Sequence, residues 1–418
     1  MQTNRTGLFK WLLYARVTIH VLYRYRANLS LKFVRRAALL LLAFRHDKPV
    51  RNGRTWKLHL YLPAYPAPAF FKAVENKLIC SPPKPVSVVL STTKACTFAC
   101  PHCYQRLDAG KDVSTDELCK TEEALSAAGV AFLNVEGGDA FLDFDRLCAL
   151  AERADESMEI WVNTTGANVT REKLEKLKTL GVYGLMVSMH GSTPEAHDAF
   201  TGRHGAFDLA RQTLAWCDEL GLGSAINCVL TAQDVAAGIL PRIMDMAREL
   251  RCGFVQLIHP KRAGKWLDNA RLDEQESQLI SDVLRAHRYY NGWRRASYPA
   301  LAAQANEESA RLFGCTAGGV DRFYIGASGE VQPCEFLNLS FGNVKEESFA
   351  TIFARMRTAF PVPCTDWLCH TLAGDIADYM RDHNITTTPL STSATLEIVS
   401  RMKRSEPTKL YKRMGIYG

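Results

Sequence analysis

At 418 residues, with 47% hydrophobic and 23% charged side chains, the chain is long enough for two or three globular domains, and its composition excludes wholesale disorder. Its net charge of +7 is concentrated at one end: residues 1–54 carry twelve Lys or Arg and one acid, Asp47, so the rest of the chain is net acidic. This excludes a protein that coats nucleic acid and points to an anionic partner for the N-terminal segment. Thirteen cysteines in a chain of this size, an odd number without a compact signal-type apolar run, are expected to serve metal in a reducing cytosol rather than disulfides. No stretch offers about 18 uncharged apolar residues, so no transmembrane helix is expected.

In chain order, residues 7–26 predict an amphipathic helix. Leu8, Trp11, Leu12, Ala15, Ile19 and Leu22 follow helical spacing on one face, with Lys10, Arg16, His20 and Arg24 roughly opposite. A second helix is expected after Asn28 or Ser30, either of which can cap it, through Lys32, Arg35 and Arg36 into Ala37–Phe44. Residues 7–46 read as a membrane-surface anchor, with a helical pair packed on the next domain as the alternative. Residues 50–82, interrupted by Pro63, Pro66, Pro68 and Pro82, read as an irregular connector.

From residue 86 the pattern alternates. Strands are expected at Val86–Thr92, Ala131–Glu136, Met158–Asn163, Tyr183–Met189, Ser224–Leu230 and Phe254–Ile258. Helices are expected near 114–128, 143–154, 169–180, 206–220, 234–250 and 272–288. Six βα units in series predict an α/β fold with a parallel sheet, either a partial TIM-type barrel or an open sheet, with ligands at the C-terminal ends of the strands. Three regions follow: a basic helical extension and connector (1–85), the βα core (86–305) and a cysteine-bearing C-terminal domain with a basic tail (306–418).

The first predicted strand runs into Thr93-Lys-Ala-Cys-Thr-Phe-Ala-Cys-Pro-His-Cys-Tyr104. Cys96, Cys100 and Cys103 stand in the spacing C-x3-C-x2-C. Three thiolates hold three irons of a 4Fe–4S cube and leave the fourth open to chelate a small molecule. The alternatives are a zinc site, which would need a fourth ligand nearby, and three unrelated core cysteines.

This run resembles the radical S-adenosylmethionine (SAM) superfamily, in the branch with a C-terminal SPASM or Twitch auxiliary-cluster domain; the resemblance covers about residues 86–370. It implies a partial barrel of six βα units, SAM bound at the open iron, and cleavage of SAM to a 5′-deoxyadenosyl radical that abstracts hydrogen. It also implies an outside reductant such as flavodoxin or ferredoxin. His102 and Tyr104 match the aromatic neighbours of the last cysteine. Gly137, Gly138 and Asp139 stand where the family has Gly-Gly-Glu, which binds the SAM amino group; Asp139 is one methylene shorter. Asn163-Thr-Thr-Gly166 resembles the family's Thr-Asn-Gly turn. Val187-Ser-Met-His-Gly191 stands at its Ser-x-Asp-Gly, which assigns Ser188 to the ribose or carboxylate and puts His190 in place of the Asp. Asn227 is a further pocket residue by the same argument, and His259 with Pro260–Gly264 is placed near the adenine.

Cys315, thirteen residues, Gly329, four residues and Cys334 match the opening of the SPASM/Twitch pattern, with Cys364 and Cys369 beyond. Four cysteines suffice for one fully ligated 4Fe–4S cluster; a zinc site is the alternative. The remaining cysteines, Cys80, Cys119, Cys148, Cys217, Cys228 and Cys252, fall singly and carry no expected role. Two substrate classes are open. The basic helices suggest a lipid, isoprenoid or other membrane-derived molecule, handled at the inner face of the membrane. The SPASM resemblance suggests a peptide or protein side chain. A membrane-associated iron–sulfur electron carrier is a third reading, against which Gly137–Asp139 speaks. No substrate acid, base or radical relay is assigned.

Overall fold

The structure is a computed structural model that describes residues 3–4, 7–269, 271–403 and 406–417. The chain begins with β1 (Thr3–Asn4), α1 (Leu8–Arg24), α2 (Leu31–Ala43), β2 (Val50–Asn52), β3 (Thr55–Lys57) and α3 (Pro68–Leu78). The three short strands pair antiparallel in the order β1-β2-β3. Ser30 caps α2 by accepting from Phe33 N. The expected irregular connector is corrected here, because a hairpin and α3 occupy much of it. Pro68 sits in the first turn of α3, where a missing N–H breaks no helical bond. Reading every proline as a breaker concealed a helix that buries Phe70, Phe71, Val74 and Leu78.

The βα series follows as β4 (Ser87–Ser91), α4 (Thr115–Ala128), β5 (Phe132–Glu136), α5 (Phe144–Arg153), β6 (Glu159–Thr164), α6 (Arg171–Thr179), β7 (Gly184–Ser188), α7 (Pro194–Thr201), α8 (Ala206–Leu220), β8 (Gly223–Val229), α9 (Ala232–Ala236), α10 (Ile239–Glu249) and β9 (Phe254–Ile258). All six expected strands are present, shifted by a residue or two at their ends. Beyond them lie α11 (Arg271–Glu274), α12 (Glu276–Tyr290), β10 (Ala300–Ala303), α13 (Gln304–Glu307), β11 (Arg322–Ile325), β12 (Val331–Gln332), α14 (Phe349–Ala359), α15 (Leu368–Thr371), α16 (Ala373–Asp382), α17 (Thr392–Ser400) and α18 (Lys409–Met414).

The main sheet runs β10-β9-β8-β7-β6-β5-β4-β11-β12. The ladder from β10 to β11 is parallel throughout and β12 returns antiparallel. The sheet does not close on itself, so the fold is a partial barrel with a seam between its ends. Sequence periodicity did not reveal β10, which is all Ala and Leu, nor the parallel pairing of β11 with a strand more than two hundred residues earlier.

Side chains alternate along each strand. Leu133, Val135, Ile160, Val162, Leu185 and Val187 belong to the core beneath the helices. Phe132, Trp161, Met186, Ala225 and Phe254 form a separate apolar cluster with Val50 and Leu60, filling the N-terminal end of the lumen. A buried ion pair fastens that end: Lys57 Nζ lies 2.5 Å from Glu159 Oε1. Glu159 also accepts from Trp161 Nε1 (2.9 Å) and Ala64 N (2.6 Å).

The helices α1 and α2 are packed on the fold. Leu13, Tyr14, Val17, Val21 and Phe33 share a cluster with α3 and with Leu410, Tyr411 and Met414 of α18. The Arg36 guanidinium ties these parts together by donating to the carbonyls of Met414 (3.0 Å), Gly415 (2.7 Å) and Leu78 (3.2 Å). The face on which the apolar spacing of α1 was read, Leu8, Trp11, Leu12 and Ile19, is the outer one and is exposed. Among the described residues no helix is long and apolar enough to cross a membrane.

Candidate functional site

After β4 the chain passes through Cys96, Cys100 and Cys103 into a short turn at Tyr104–Leu107. Cys96 is exposed, and Cys100 and Cys103 are half-buried. The loop is clamped to the end of β5: Gly138 N donates to Thr93 O (2.7 Å) and Asp139 N to Ala95 O (2.8 Å). A Cβ on Gly137 would lie 2.5 Å from Thr93 O, and one on Gly138 only 2.1 Å from Ala95 O, so the close approach requires the glycine pair. On the other flank, a Cβ on Gly264 (φ +53°) would lie 2.1 Å from Cys103 O, which seats the segment after β9 against the same loop. Burial, with the neighbouring Cys103 and Cys96, pushes the Cys100 thiol up to about 12. Bound iron would reverse that, because the thiolate is the ligating form.

Above the apolar layer, the lumen becomes polar. Asn134, Glu136, Asn163, Ser188, Asn227 and Gln256 line a cavity of about 550 Å³ together with the three cysteines, Gly137 and Gly138. Asn134 Oδ1, Glu136 Oε1, Asn163 Oδ1, Asn227 Oδ1 and Gln256 Oε1 are buried with no protein partner. Buried polar atoms are normally satisfied, so this ring of lone acceptors fits a ligand that brings donors and positive charge. The ammonium, ribose hydroxyls and sulfonium of SAM have that character. Burial, then the Glu335 carboxylate, holds the Glu136 carboxyl well above the usual range, which favours its neutral form.

The cavity has a second, apolar arm. It extends to the N-terminal helices, where Val17 and Val21 of α1, Leu40 and Leu41 of α2, and Phe70 and Val74 of α3 line it.

Eight of the nine side chains or glycines assigned to the cofactor from sequence line this cavity: His102, Tyr104, Gly137, Gly138, Asn163, Ser188, His190 and Asn227. The His102 and His190 rings meet edge to face at 4.6 Å. Burial holds His102 at about 4 and His190 well below the usual range, so both are neutral. His190 Nδ1 accepts from Val229 N (3.2 Å), so this histidine braces the ends of β7 and β8. Tyr104 packs edge-on against Tyr324 and Phe336.

Asp139 requires correction. It is buried outside the cavity lining, and its carboxylate accepts from Thr165 N (2.9 Å), Thr165 Oγ1 (2.5 Å), Thr164 Oγ1 (3.1 Å) and Phe141 N (3.1 Å). These donors, from the end of β6, the residue after it and Asp139's own loop, occupy the carboxylate. The lumen acid is Glu136, two residues before Gly138, with Oε2 accepting from Asn163 Nδ2 (3.1 Å). Sequence reading missed Glu136, Asn134 and Gln256. The signal available was period two: Asn134 and Glu136 are polar at inward positions of a strand otherwise Phe, Leu and Val.

The C-terminal cysteines are all buried. Cys315 and Cys364 exchange backbone hydrogen bonds (2.8 and 3.0 Å), Cys334 follows β12, and Cys369 lies on α15. Burial raises the thiols of Cys315, Cys334 and Cys369, and the nearby Glu308 and Glu335 carboxylates add to the shift. Arg322 reaches Glu308 (2.8 Å) and Cys334 Sγ (3.7 Å), and Cys334 donates to Glu335 Oε2 (3.1 Å). Arg322 and Glu335 also line the cavity, so the second cysteine site borders the lumen.

The radical SAM superfamily matches residues 90–232, and an iron-sulfur cluster-binding domain, SPASM, matches residues 315–360. The chain is a radical SAM enzyme. Similar proteins include the Fe-coproporphyrin III synthase of Methanosarcina barkeri, 27% identical over 65% of this chain and 73% of that protein. The sporulation killing factor maturation protein SkfB of Bacillus subtilis is 27% identical over 64% of each chain, and the PqqA peptide cyclase of Rhizobium meliloti is 23% identical over 68% of this chain and 77% of that one. Among solved structures, Streptococcus suis SuiB bound to its precursor peptide SuiA superposes with a TM-score of 0.50 at 16% identity, covering 65% of this chain and 64% of that one. That likeness establishes the fold.

Membership of the family brings a 4Fe–4S cluster and SAM, and the SPASM match brings an auxiliary cluster. Cys96, Cys100 and Cys103 are the residues that would hold the first. Cys315 and Cys334 lie inside the SPASM match, and Cys364 and Cys369 just beyond it. When bound, the cluster and SAM supply a 5′-deoxyadenosyl radical. The glycine pair after β5 and Gly264 brace the cysteine loop from both flanks, and the acceptor ring is the set of residues that would orient the ligand.

Proposed function

We propose that the enzyme abstracts hydrogen from a substrate lying in the lumen between Glu136 and Glu335, and that this substrate is a peptide or protein side chain. The observation that carries the first part is the single cavity bordered at once by Cys96, Cys100 and Cys103 and by the residues bonded to Cys334. Support for the peptide comes from relatives whose names speak of peptide maturation and cyclisation. In this reading the four C-terminal cysteines hold a 4Fe–4S cluster that accepts or relays an electron, and a flavodoxin- or ferredoxin-type reductant feeds the first site.

A second reading is a small molecule with a hydrophobic chain. One feature of this chain favours it: the arm at Val17, Val21, Leu40 and Val74 is walled mainly by aliphatic and aromatic side chains. The two readings separate in one experiment. Reduced enzyme and SAM are given host-cell extract labelled either with deuterated amino acids or with deuterated acyl and isoprenoid chains. Deuterium in 5′-deoxyadenosine from the amino-acid extract alone supports the peptide; deuterium from the lipid extract alone overturns it.

A further inference from the structure

The outer surface of the first two helices has no role in the chemistry above. α1 carries two apolar stripes. The inner one is buried; the outer one is Leu8, Trp11, Leu12, Ile19 and Tyr23, with Leu8 77% and Ile19 67% exposed. α2 repeats the pattern, with Leu31 87% exposed and Val34 and Leu42 one and three turns further on. Of the thirteen large hydrophobic side chains exposed among the described residues, ten lie between Leu8 and Leu42. Single exposed apolar residues are ordinary, but this concentration on two adjoining helices is not.

Charge identifies what covers it. Arg16, Arg24, Arg26, Lys32, Arg35 and Arg45 are exposed on the same segment, and no acid occurs between Gly7 and His46. An anionic leaflet complements both properties, taking Leu and Ile into the acyl boundary, Trp11 and Tyr23 at headgroup level, and the Arg and Lys side chains against phosphate. A second copy of the chain would bring the same positive charge to the contact.

We propose that the outer face of α1 and α2 is a docking surface for an anionic bilayer, with both helices lying in the plane of the interface. This rests on neither substrate class. It does place the apolar arm directly inside the docked helices, since Val17 and Val21 on the inner stripe of α1 line it.

The test uses the full chain with its clusters reconstituted, and phosphatidylcholine vesicles with and without phosphatidylglycerol. The anionic lipid is expected to raise co-sedimentation about tenfold, and added salt to reverse the gain. Leu12→Ser with Ile19→Ser and Leu31→Ser should lower binding to anionic vesicles about tenfold while leaving SAM cleavage intact. Arg16→Gln with Arg24→Gln and Arg35→Gln should remove the preference for anionic lipid. The proposal is overturned if the parent protein stays in the supernatant with anionic vesicles, or if the Ser variant binds as well as the parent. It is overturned equally if the Ser substitutions instead abolish self-association of a protein that does not bind vesicles, which would assign the face to a second copy. Intact SAM cleavage in the variants keeps a docking failure separate from a failure of the radical SAM reading.

Discussion

Glu136 is the residue on which the ligand-free lumen and the loaded one should differ most. Burial and Glu335 raise its carboxyl well above the ordinary value of about 4.3 and so favour the neutral form. By linkage, this group favours the ligand-free fold at acid pH, and that contribution is lost as the pH rises past the unfolded value. SAM brings an ammonium and a sulfonium, which favour the carboxylate. Binding should therefore release a proton, and affinity should rise with pH until the raised value is passed. Glu136→Gln should flatten that profile and weaken SAM binding about tenfold on its alkaline side, read by calorimetry in buffers of different ionisation enthalpy. Gly138→Ala tests the neighbouring contact. Its Cβ would meet the Ala95 carbonyl at 2.1 Å, so the cysteine loop must shift. Iron analysis should then show loss of the first cluster with the second retained. The cysteines, the glycine pair and Asn163 were legible from spacing and resemblance. The tying of the Asp139 carboxylate to Thr164 and Thr165 was not, because no local pattern connects the end of β6 to the segment after β5.

At the level of elements, the strands with β-branched inward and outward alternation were visible from the sequence, while α3, β10 and β11 were not. α3 was hidden by prolines that begin helices as readily as they end them. β11 joins the parallel ladder through its partner β4, and nonlocal pairing leaves no periodic trace. The N-terminal helices form a third case: their apolar spacing was correct, yet the face it identified is exposed and a second stripe does the packing. What holds these helices down is specific. Arg36 spans three carbonyls, on α3, at the last residue of α18 and at Gly415 just after it. Arg36→Ala should leave those acceptors unpaired and cost about 2–3 kcal/mol, seen as a lower denaturation midpoint and earlier proteolysis near residue 414. Arg36→Lys, with one donor centre in place of a planar fork, should recover only part of the loss.

For the whole molecule, a partial barrel places two cysteine sites on one cavity, and elements from both ends of the chain pack together beside it. The sites should be separable. Cys315→Ala with Cys334→Ala should remove the second cluster's spectroscopic signature while 5′-deoxyadenosine formation continues. Turnover of the true substrate should stop in that variant if the second cluster handles an electron. The claim on which everything rests is that Cys96, Cys100 and Cys103 present an open iron to SAM. The direct measurement is formation of 5′-deoxyadenosine by anaerobic, reduced, cluster-replete enzyme, compared with the variant in which those three cysteines are Ala. The account predicts formation in the first and background in the second. A cluster-replete enzyme that binds reductant and SAM but yields no 5′-deoxyadenosine, or a triple variant that still forms it, would contradict the account.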